Sequence, residues 1–128
     1  MRFNRKQSPA ALRYAERRQR EDEAPRLGAE VPELVSLSLE IEERSDAIGM
    51  PAPKHVRRVV VANAPALFLV ACGDPHCDSP GHDVTSTIMR ALRSRQTTFK
   101  GEDQCRGSLN TGLCTRVVQF EATAAYRP

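Results

Sequence analysis

The sequence predicts an α+β domain: a small, mostly antiparallel sheet of about five strands, in the order β-β-β-α-β-β, with one helix packed on it. Three observations predict this class. Apolar and polar residues alternate over 34–43 and again over 115–126, and an amphipathic segment lies between them at 83–95. A period of two is typical of half-buried strands, and a period near 3.6 is typical of helices. Strands grouped on either side of one helix favour an α+β domain over a regular strand–helix alternation.

The N-terminal segment is predicted to be a basic arm over residues 1–30, helical or disordered, that precedes the α+β domain at 31–128. Residues 1–27 carry eight Lys/Arg and four Asp/Glu, whereas the remainder carries eleven and twelve. Ser8 can cap a helix whose first residue is Pro9. This helix is too polar to bury a face, so it is marginal alone. The stretch "APRLGAEVPEL" that follows is interpreted as a linker.

The first predicted strand is "LVSLSLEIEE", in which Val35, Leu37, Leu39 and Ile41 alternate with serine and glutamate. The apolar runs 56–62 and 66–71 are separated by "NAP", which predicts a hairpin. The second run is apolar throughout, as expected for a central strand that is buried on both faces.

The predicted helix covers 83–95, with Asp83 as its cap. Its apolar face consists of Val84, Ile88 and Leu92, with Met89 beside them. A short strand is expected at 97–101 and a long one at 115–126. The inward face of the long strand is predicted to consist of Val118, Phe120, Ala122, Ala124 and Tyr126.

Composition predicts a cytoplasmic protein with a thin core. The chain has four Phe, two Tyr and no Trp, and small domains of this kind often recruit a metal or a disulfide as a staple. No apolar run is long enough to cross a membrane, and no apolar stretch follows the charged N-terminus as it would in a secretory signal. We therefore expect no membrane partner. In the cytoplasm, cysteines are more often thiolates or metal ligands than disulfides.

Four cysteines form the main chemical signal, as the pairs Cys72/Cys77 (C-x4-C) and Cys105/Cys114 (C-x8-C). Cys72 follows the predicted central strand, and Cys114 precedes the final strand. "RGSLNTGL" is predicted to be a hairpin loop closed by Cys105 and Cys114. If the final strand is the antiparallel neighbour of the central strand, all four thiols gather at one end of the sheet. Four thiolates in tetrahedral reach predict a structural Zn²⁺ site.

Glycines next to the cysteines support this prediction, because they let the backbone turn tightly enough to aim amides at sulfur. They are Gly73, Gly107 and Gly112. On these cysteine pairs and glycines, residues 66–120 loosely resemble a zinc ribbon, with wider spacings and a helix between the pairs. The resemblance implies a structural zinc.

Several alternatives remain open at the level of sequence. His82, or less readily His76, could replace one cysteine in a Cys3His site; His76 is adjacent to Cys77, which is awkward for two ligands of one tetrahedron. The cysteines could instead be free buried thiols, redox-active groups, or two disulfides joining 72 to 77 and 105 to 114.

The sequence predicts a protein without enzymatic activity, because it contains no Ser-His-Asp order, P-loop, G-x-G-x-x-G or H-E-x-x-H motif. The basic arm suggests association with RNA, the ribosome or DNA, since arginine contacts phosphate without needing a pocket. Arg90, Arg93 and Arg95 add positive charge on the exposed side of the helix. The predicted nucleic-acid contacts are Arg5, Lys6, Arg13, Arg17, Arg18, Arg20, Arg90 and Arg93. The alternative is a protein-interaction adaptor that zinc stabilises, with a merely solubilising tail.

Overall fold

The fold is built on a four-stranded antiparallel sheet. A computed structural model of the chain describes residues 9–44, 54–74, 77–79, 81–110 and 112–128. Its helices and strands, in chain order, are α1 (Pro9–Glu23), α2 (Leu27–Glu30), β1 (Leu34–Arg44), β2 (Lys54–Val59), β3 (Leu69–Val70), β4 (His82–Asp83), α3 (Thr85–Arg93), β5 (Thr98–Gln104), β6 (Ser108–Leu109), β7 (Gly112–Leu113) and β8 (Val117–Tyr126). The sheet has the order β2-β1-β8-β5, and β3–β4 and β6–β7 form two small two-stranded sheets. The predicted α+β class with a mostly antiparallel sheet is confirmed, with four main strands.

Strand β1 follows the predicted alternation except at its start. Leu37, Leu39 and Ile41 are buried, whereas Val35 is 53% exposed. The pairing of β1 with β8 shifts by one residue between Leu34 and Ser36. Such an irregularity reverses the faces on which neighbouring side chains lie, so Leu34 is buried and Val35 faces solvent.

The predicted hairpin of residues 56–62 and 66–71 is wrong. Strand β2 pairs with β1 instead. The apolar run 66–71 contributes only the two residues of β3, which pair with β4. Phe68, Leu69 and Val70 are buried as predicted, but a short apolar run does not specify its pairing partner.

Helix α3 and strand β8 contribute to the core together with β1. Ile88 and Leu92 are fully buried, with Val84 and Met89 nearly so. Helix α3 is shorter than predicted, and Arg95 lies beyond its end. Val84 is the residue at the N-cap, although Asp83 Oδ1 still accepts the N–H of Thr85 at 3.0 Å. The inward residues of β8 are the predicted ones: Val118, Phe120, Ala122 and Ala124 are buried, and Tyr126 packs against the core at its edge.

The basic arm is helical over α1, and Leu12 and Tyr14 on it are exposed. An ion pair of 3.4 Å between Arg20 and Asp83 joins the end of α1 to the start of α3. Leu27, at the start of α2, is fully buried in the core. The core therefore includes Leu27, which lies within the segment interpreted as a linker. In the parts of the chain that the structure describes, no helix combines the length and apolar character needed to cross a membrane.

Candidate metal centre

The four predicted cysteine ligands meet in one cluster. Cys72 Sγ lies 3.8 Å from Cys114 Sγ, and Cys77 Sγ lies 3.6 Å from Cys105 Sγ. All four sulfur atoms lie within 4.8 Å of one another. A tetrahedral zinc with bonds of about 2.3 Å places its sulfur ligands about 3.8 Å apart. The cluster therefore has the dimensions of a tetrahedral thiolate site.

The two disulfides considered from the sequence do not form. All four cysteines are free, and the sulfur separations greatly exceed the disulfide bond length of about 2.05 Å. The short distances also run crosswise, from Cys72 to Cys114 and from Cys77 to Cys105. Each cysteine of one loop thus approaches a cysteine of the other loop, as ligands of a shared ion do.

The second cysteine pair lies where β5 ends and β8 begins. The Cys105 N–H donates to the Arg116 carbonyl at 2.8 Å, and the Cys114 N–H donates to the Gly107 carbonyl at 2.9 Å. The predicted hairpin between these cysteines is present as β6 and β7. The gathering of thiols at one end of the sheet was predicted from a wrong premise, because β8 has β1 and β5 as neighbours.

Glu43 holds the first cysteine loop over the same end of the sheet. Glu43 is the last inward-facing residue of β1 and is only 8% exposed. It accepts the Gly73 N–H at 2.7 Å and the Arg116 guanidinium at 2.6 Å. A side chain at Gly73 would overlap this carboxylate. Glu43 was not among the predicted site residues, although it continues the inward phase of Leu37, Leu39 and Ile41.

Two matching turns aim backbone amides at the sulfur atoms. The Ser79 N–H donates to Cys77 Sγ at 3.4 Å, and the Gly107 N–H donates to Cys105 Sγ at 3.4 Å. In both turns the donor lies two residues after the cysteine. Donors to sulfur stabilise the thiolate, which is the form that binds metals.

The two turns are packed directly on each other. The Ser108 N–H donates to Asp78 Oδ1 at 2.6 Å, and the Asp78 N–H donates to the Ser108 carbonyl at 3.2 Å. A Cβ atom at Gly107 would overlap Cys77 Sγ and lie 2.7 Å from the Ser79 Cβ. Glycine at 107 is therefore required by close approach of the two loops, whereas the sequence predicted it only for the amide that it directs at sulfur.

The pKa values of the thiols are shifted in different directions across the cluster. Burial raises the pKa of Cys72 well above its ordinary value and raises the pKa of Cys77 to about 11. Burial acts in the same direction on Cys105, but the Gly107 N–H and the neighbouring Ser79 and thiol groups outweigh it and lower the pKa of that thiol. Four thiolates can coexist in this space only if a cation offsets their mutual repulsion.

The donor set fits a metal ion. Four sulfur atoms with tetrahedral spacing suit Zn²⁺ or another thiophilic ion, and they fill the first coordination sphere. An ion bound there would join the loop after β3, the end of β5 and the start of β8. It would supply rigidity to the chain and leave no open position for a substrate.

His82 lies beside the cysteine cluster, not within it. Its side chain is fully buried, and its Nδ1 lies 3.0 Å from Asp103 Oδ2. A ring nitrogen lies within 4.8 Å of Cys72 Sγ and of a Glu43 oxygen, so that these three residues form a second group of potential ligands. His76, the other histidine considered, lies outside the described residues.

The predicted nucleic-acid contacts fall on two helices. Arg13 and Arg17 on α1 are partly buried and Arg18 and Arg20 are exposed, while Arg90 and Arg93 are exposed on α3; Arg5 and Lys6 lie outside the described residues. Arg93 pairs with Glu30 at 3.1 Å. Arg95 serves the fold: it donates to the Arg127 carbonyl at 2.7 Å and covers the Tyr126 ring.

One patch of the arm lies against the sheet. Arg18, Arg57 and Arg58 line a single cavity of about 430 Å³ together with Glu21 and Asp22. Arg57 is held there by the Leu69 carbonyl at 3.4 Å. The arm and the end of β2 thus share one surface.

Comparison of the chain with protein-family models, with curated proteins and with solved structures gives no match. The chemistry of the site and the charge of the surface are therefore the grounds on which a function can be proposed.

Proposed function

We propose that this chain is a non-enzymatic protein whose fold is stabilised by one Zn²⁺ ion bound to Cys72, Cys77, Cys105 and Cys114. The observation that carries the proposal is the crosswise approach of the four thiols at 3.6 and 3.8 Å. Iron can occupy a similar S4 site, but zinc is the common structural ion in closed tetrahedral thiolate sites. The role is architectural because all four ligands come from the protein.

Metal analysis of the reduced protein tests the zinc site. We expect about one zinc per chain in these four positions, loss of that zinc in Cys114→Ser, and retention in His55→Ala, whose ring is exposed on β2. The histidine variant is a control for nonspecific binding to imidazole. Reduced protein that is purified without chelator and carries no metal, or that carries iron, would contradict the proposal.

We further propose that the protein binds RNA or DNA through its basic arm. The arginines of α1 include the exposed Arg18 and Arg20, and the ion pairs they form are solvent-exposed. Exposed ion pairs contribute little, about 0–1 kcal/mol, so a phosphate can displace the carboxylate. Arg58 extends the same surface across the cavity that Arg18 lines.

Binding to bulk RNA and DNA at several salt concentrations tests this second proposal. The double variant Arg13→Glu/Arg18→Glu should weaken binding on the order of tenfold or more and reduce its salt dependence, because fewer counterions are released. The control Arg44→Glu/Lys100→Glu makes the same charge change on the outer face of the sheet, where both residues line one cavity. Equal loss in both variants would mean that net charge, not the arm, governs binding.

The alternative is a protein-interaction adaptor, and one observation favours it. Strand β2 is an edge of the four-stranded sheet, and Val56 on it and Val60 just beyond it are exposed. An edge strand with exposed β-branched residues can accept a strand from a partner. If the wild-type protein binds no nucleic acid even at low salt, the adaptor proposal replaces the nucleic-acid proposal.

A further inference from the structure

Of the two ring nitrogens of His82, beside the cysteine cluster, only Nδ1 has a hydrogen-bond partner among the described residues. His82 is fully buried, and among the residues that the structure describes its Nε2 atom has no hydrogen-bond partner. A buried polar atom left without a partner loses its hydrogen bonds to water and destabilises the fold. The burial of an imidazole at this position therefore needs an explanation.

The partner of the other ring nitrogen suggests the reason. Nδ1 lies 3.0 Å from the Asp103 carboxylate, so that the ring donates its proton to Asp103 and presents a lone pair at Nε2. Metal-binding histidines are commonly oriented in this way, with a carboxylate holding the opposite nitrogen and fixing the tautomer.

Two further donors lie close to the ring. Ligand atoms of Glu43, Cys72 and His82 are all within 4.8 Å of one another. Each oxygen of the Glu43 carboxylate accepts one hydrogen bond, from Arg116 or from the Gly73 N–H, and each retains a second lone pair. Such hydrogen bonds are typical of carboxylates that bind metals. Cys72 is the only one of the four cysteines that is not fully buried.

The local charge also favours more than one cation. Four thiolates, the Glu43 and Asp103 carboxylates and the Arg116 guanidinium sum to a formal charge of −5. One divalent ion leaves −3, and a second leaves −1. In a partly buried site, where charges are weakly screened, the second ion relieves most of the remaining repulsion.

We propose that Glu43, Cys72 and His82 bind a second divalent metal ion of the zinc class, adjoining the four-cysteine site and sharing the Cys72 sulfur. A sulfur, a nitrogen and an oxygen ligand form the mixed set that Zn²⁺ and Co²⁺ accept. Three protein ligands leave one position to water. The proposal rests on the four-cysteine site through the shared sulfur and through the charge of the four thiolates.

Titration of the metal-free, reduced protein with Co²⁺, together with zinc analysis at saturation, tests the inference. We expect two equivalents in the wild-type protein, with the second bound more weakly. We expect one equivalent in His82→Ala and in Glu43→Gln, which retains the size of the side chain, and two in the control His55→Ala. Circular dichroism identifies any variant that fails to fold, and the wild-type stoichiometry does not depend on the variants.

The outcomes separate the two sites. Two equivalents in wild type and one in the variants support the second site. One equivalent with a purely sulfur ligand shell in X-ray absorption overturns it and leaves the four-cysteine site intact. One equivalent with a mixed sulfur and nitrogen shell also overturns the second site, because His82 then replaces a cysteine as a ligand of the first ion. No bound metal overturns both proposals, and two equivalents in His82→Ala and Glu43→Gln overturn the assignment of the residues.

Discussion

Glu43 lies at the boundary between the apolar core and the cysteine cluster. Leu37, Leu39 and Ile41 point from β1 into the apolar core, and Glu43 is the next side chain in the same phase. Its carboxylate contacts one residue from each cysteine-bearing segment, Gly73 and Arg116. A single charged side chain thus positions both loops relative to the sheet.

The close packing at Gly107 leads to a prediction at the residue scale. Gly107→Ala should weaken zinc binding by on the order of 1–3 kcal/mol, because the new Cβ overlaps Cys77 Sγ and forces the two turns apart. Competition with a zinc chelator measures the change. Gly28→Ala is the matched control, since a Cβ there meets only the Val61 carbonyl at an ordinary 3.5 Å; an equal loss in both variants would contradict the packing argument.

The thiol pKa values predict how zinc binding depends on pH. Burial raises the pKa of Cys72 and raises that of Cys77 to about 11, so both thiols are protonated in the metal-free protein at pH 7. Zinc must displace these protons, and its affinity should therefore rise with pH by at least about 100-fold per unit, tenfold for each of the two protons. Chelator competition at pH 6.5, 7.0 and 7.5 should show this slope, with acid weakening binding. A pH-independent affinity would mean that the thiols are already ionised without metal.

At the scale of elements, the sequence predicted the buried faces, which hydrophobic periodicity determines. Helix α3 and strand β8 have the predicted inward faces because one continuous pattern covers each element. The reversal at Val35 was not predictable, because it arises from the register of β1 against a strand distant in sequence. The pairing of β2 and the fate of residues 66–71 were missed for a similar reason, since an apolar run reports burial but not its neighbour.

The candidate site was more predictable than the topology around it. Residue type and loop placement selected the four cysteines and Gly107, which the structure brings together. Glu43 was missed because an acidic residue at the end of a strand is ordinarily exposed. The relation of His82 to Asp103 depends on the proximity of β4 to β5, which no local pattern contains.

The separation of core and site predicts distinct effects of mutations in each. The apolar core that contains Ile88 is one cluster, and the buried cysteines form another. Ile88→Ala should lower the free energy of unfolding by about 2–5 kcal/mol, through lost burial and a cavity, while the folded protein keeps its zinc. Denaturant unfolding with metal analysis measures both quantities. Loss of zinc from folded Ile88→Ala would show that the clusters are coupled.

At the scale of the whole molecule, the two proposed activities occupy different regions. The cysteine cluster lies at the end of the sheet where β5 ends and β8 begins, while the arginines of the arm lie near the end of β2 and the start of α3. The link between them is the short stretch from Gly81 to Asp83. There a Cβ on Gly81 would lie 3.5 Å from the Arg17 side chain, and Asp83 pairs with Arg20. The part of α1 around Arg20 therefore lies against the segment that also carries the buried His82.

The order of the strands also determines when the cysteines can meet as the chain folds. Strands β1 and β8 are neighbours, yet Glu43 and Arg116 at their joined ends are 73 residues apart in the sequence. Closing so long a loop is slow, because entropy is lost before the contacts form. Cys72 and Cys114, 42 residues apart, approach each other only when β8 is in place.

An ion that requires the finished sheet binds after the slowest step of folding. It should leave the refolding rate within about twofold of the metal-free rate and slow unfolding by about tenfold or more, since it stabilises contacts absent from the transition state. Stopped-flow experiments with zinc and with excess chelator measure both rates. Faster refolding with zinc would mean that the cysteine loops assemble first. Otherwise the metal acts as a latch, closing on a fold that the strands have already reached and determining how long that fold persists.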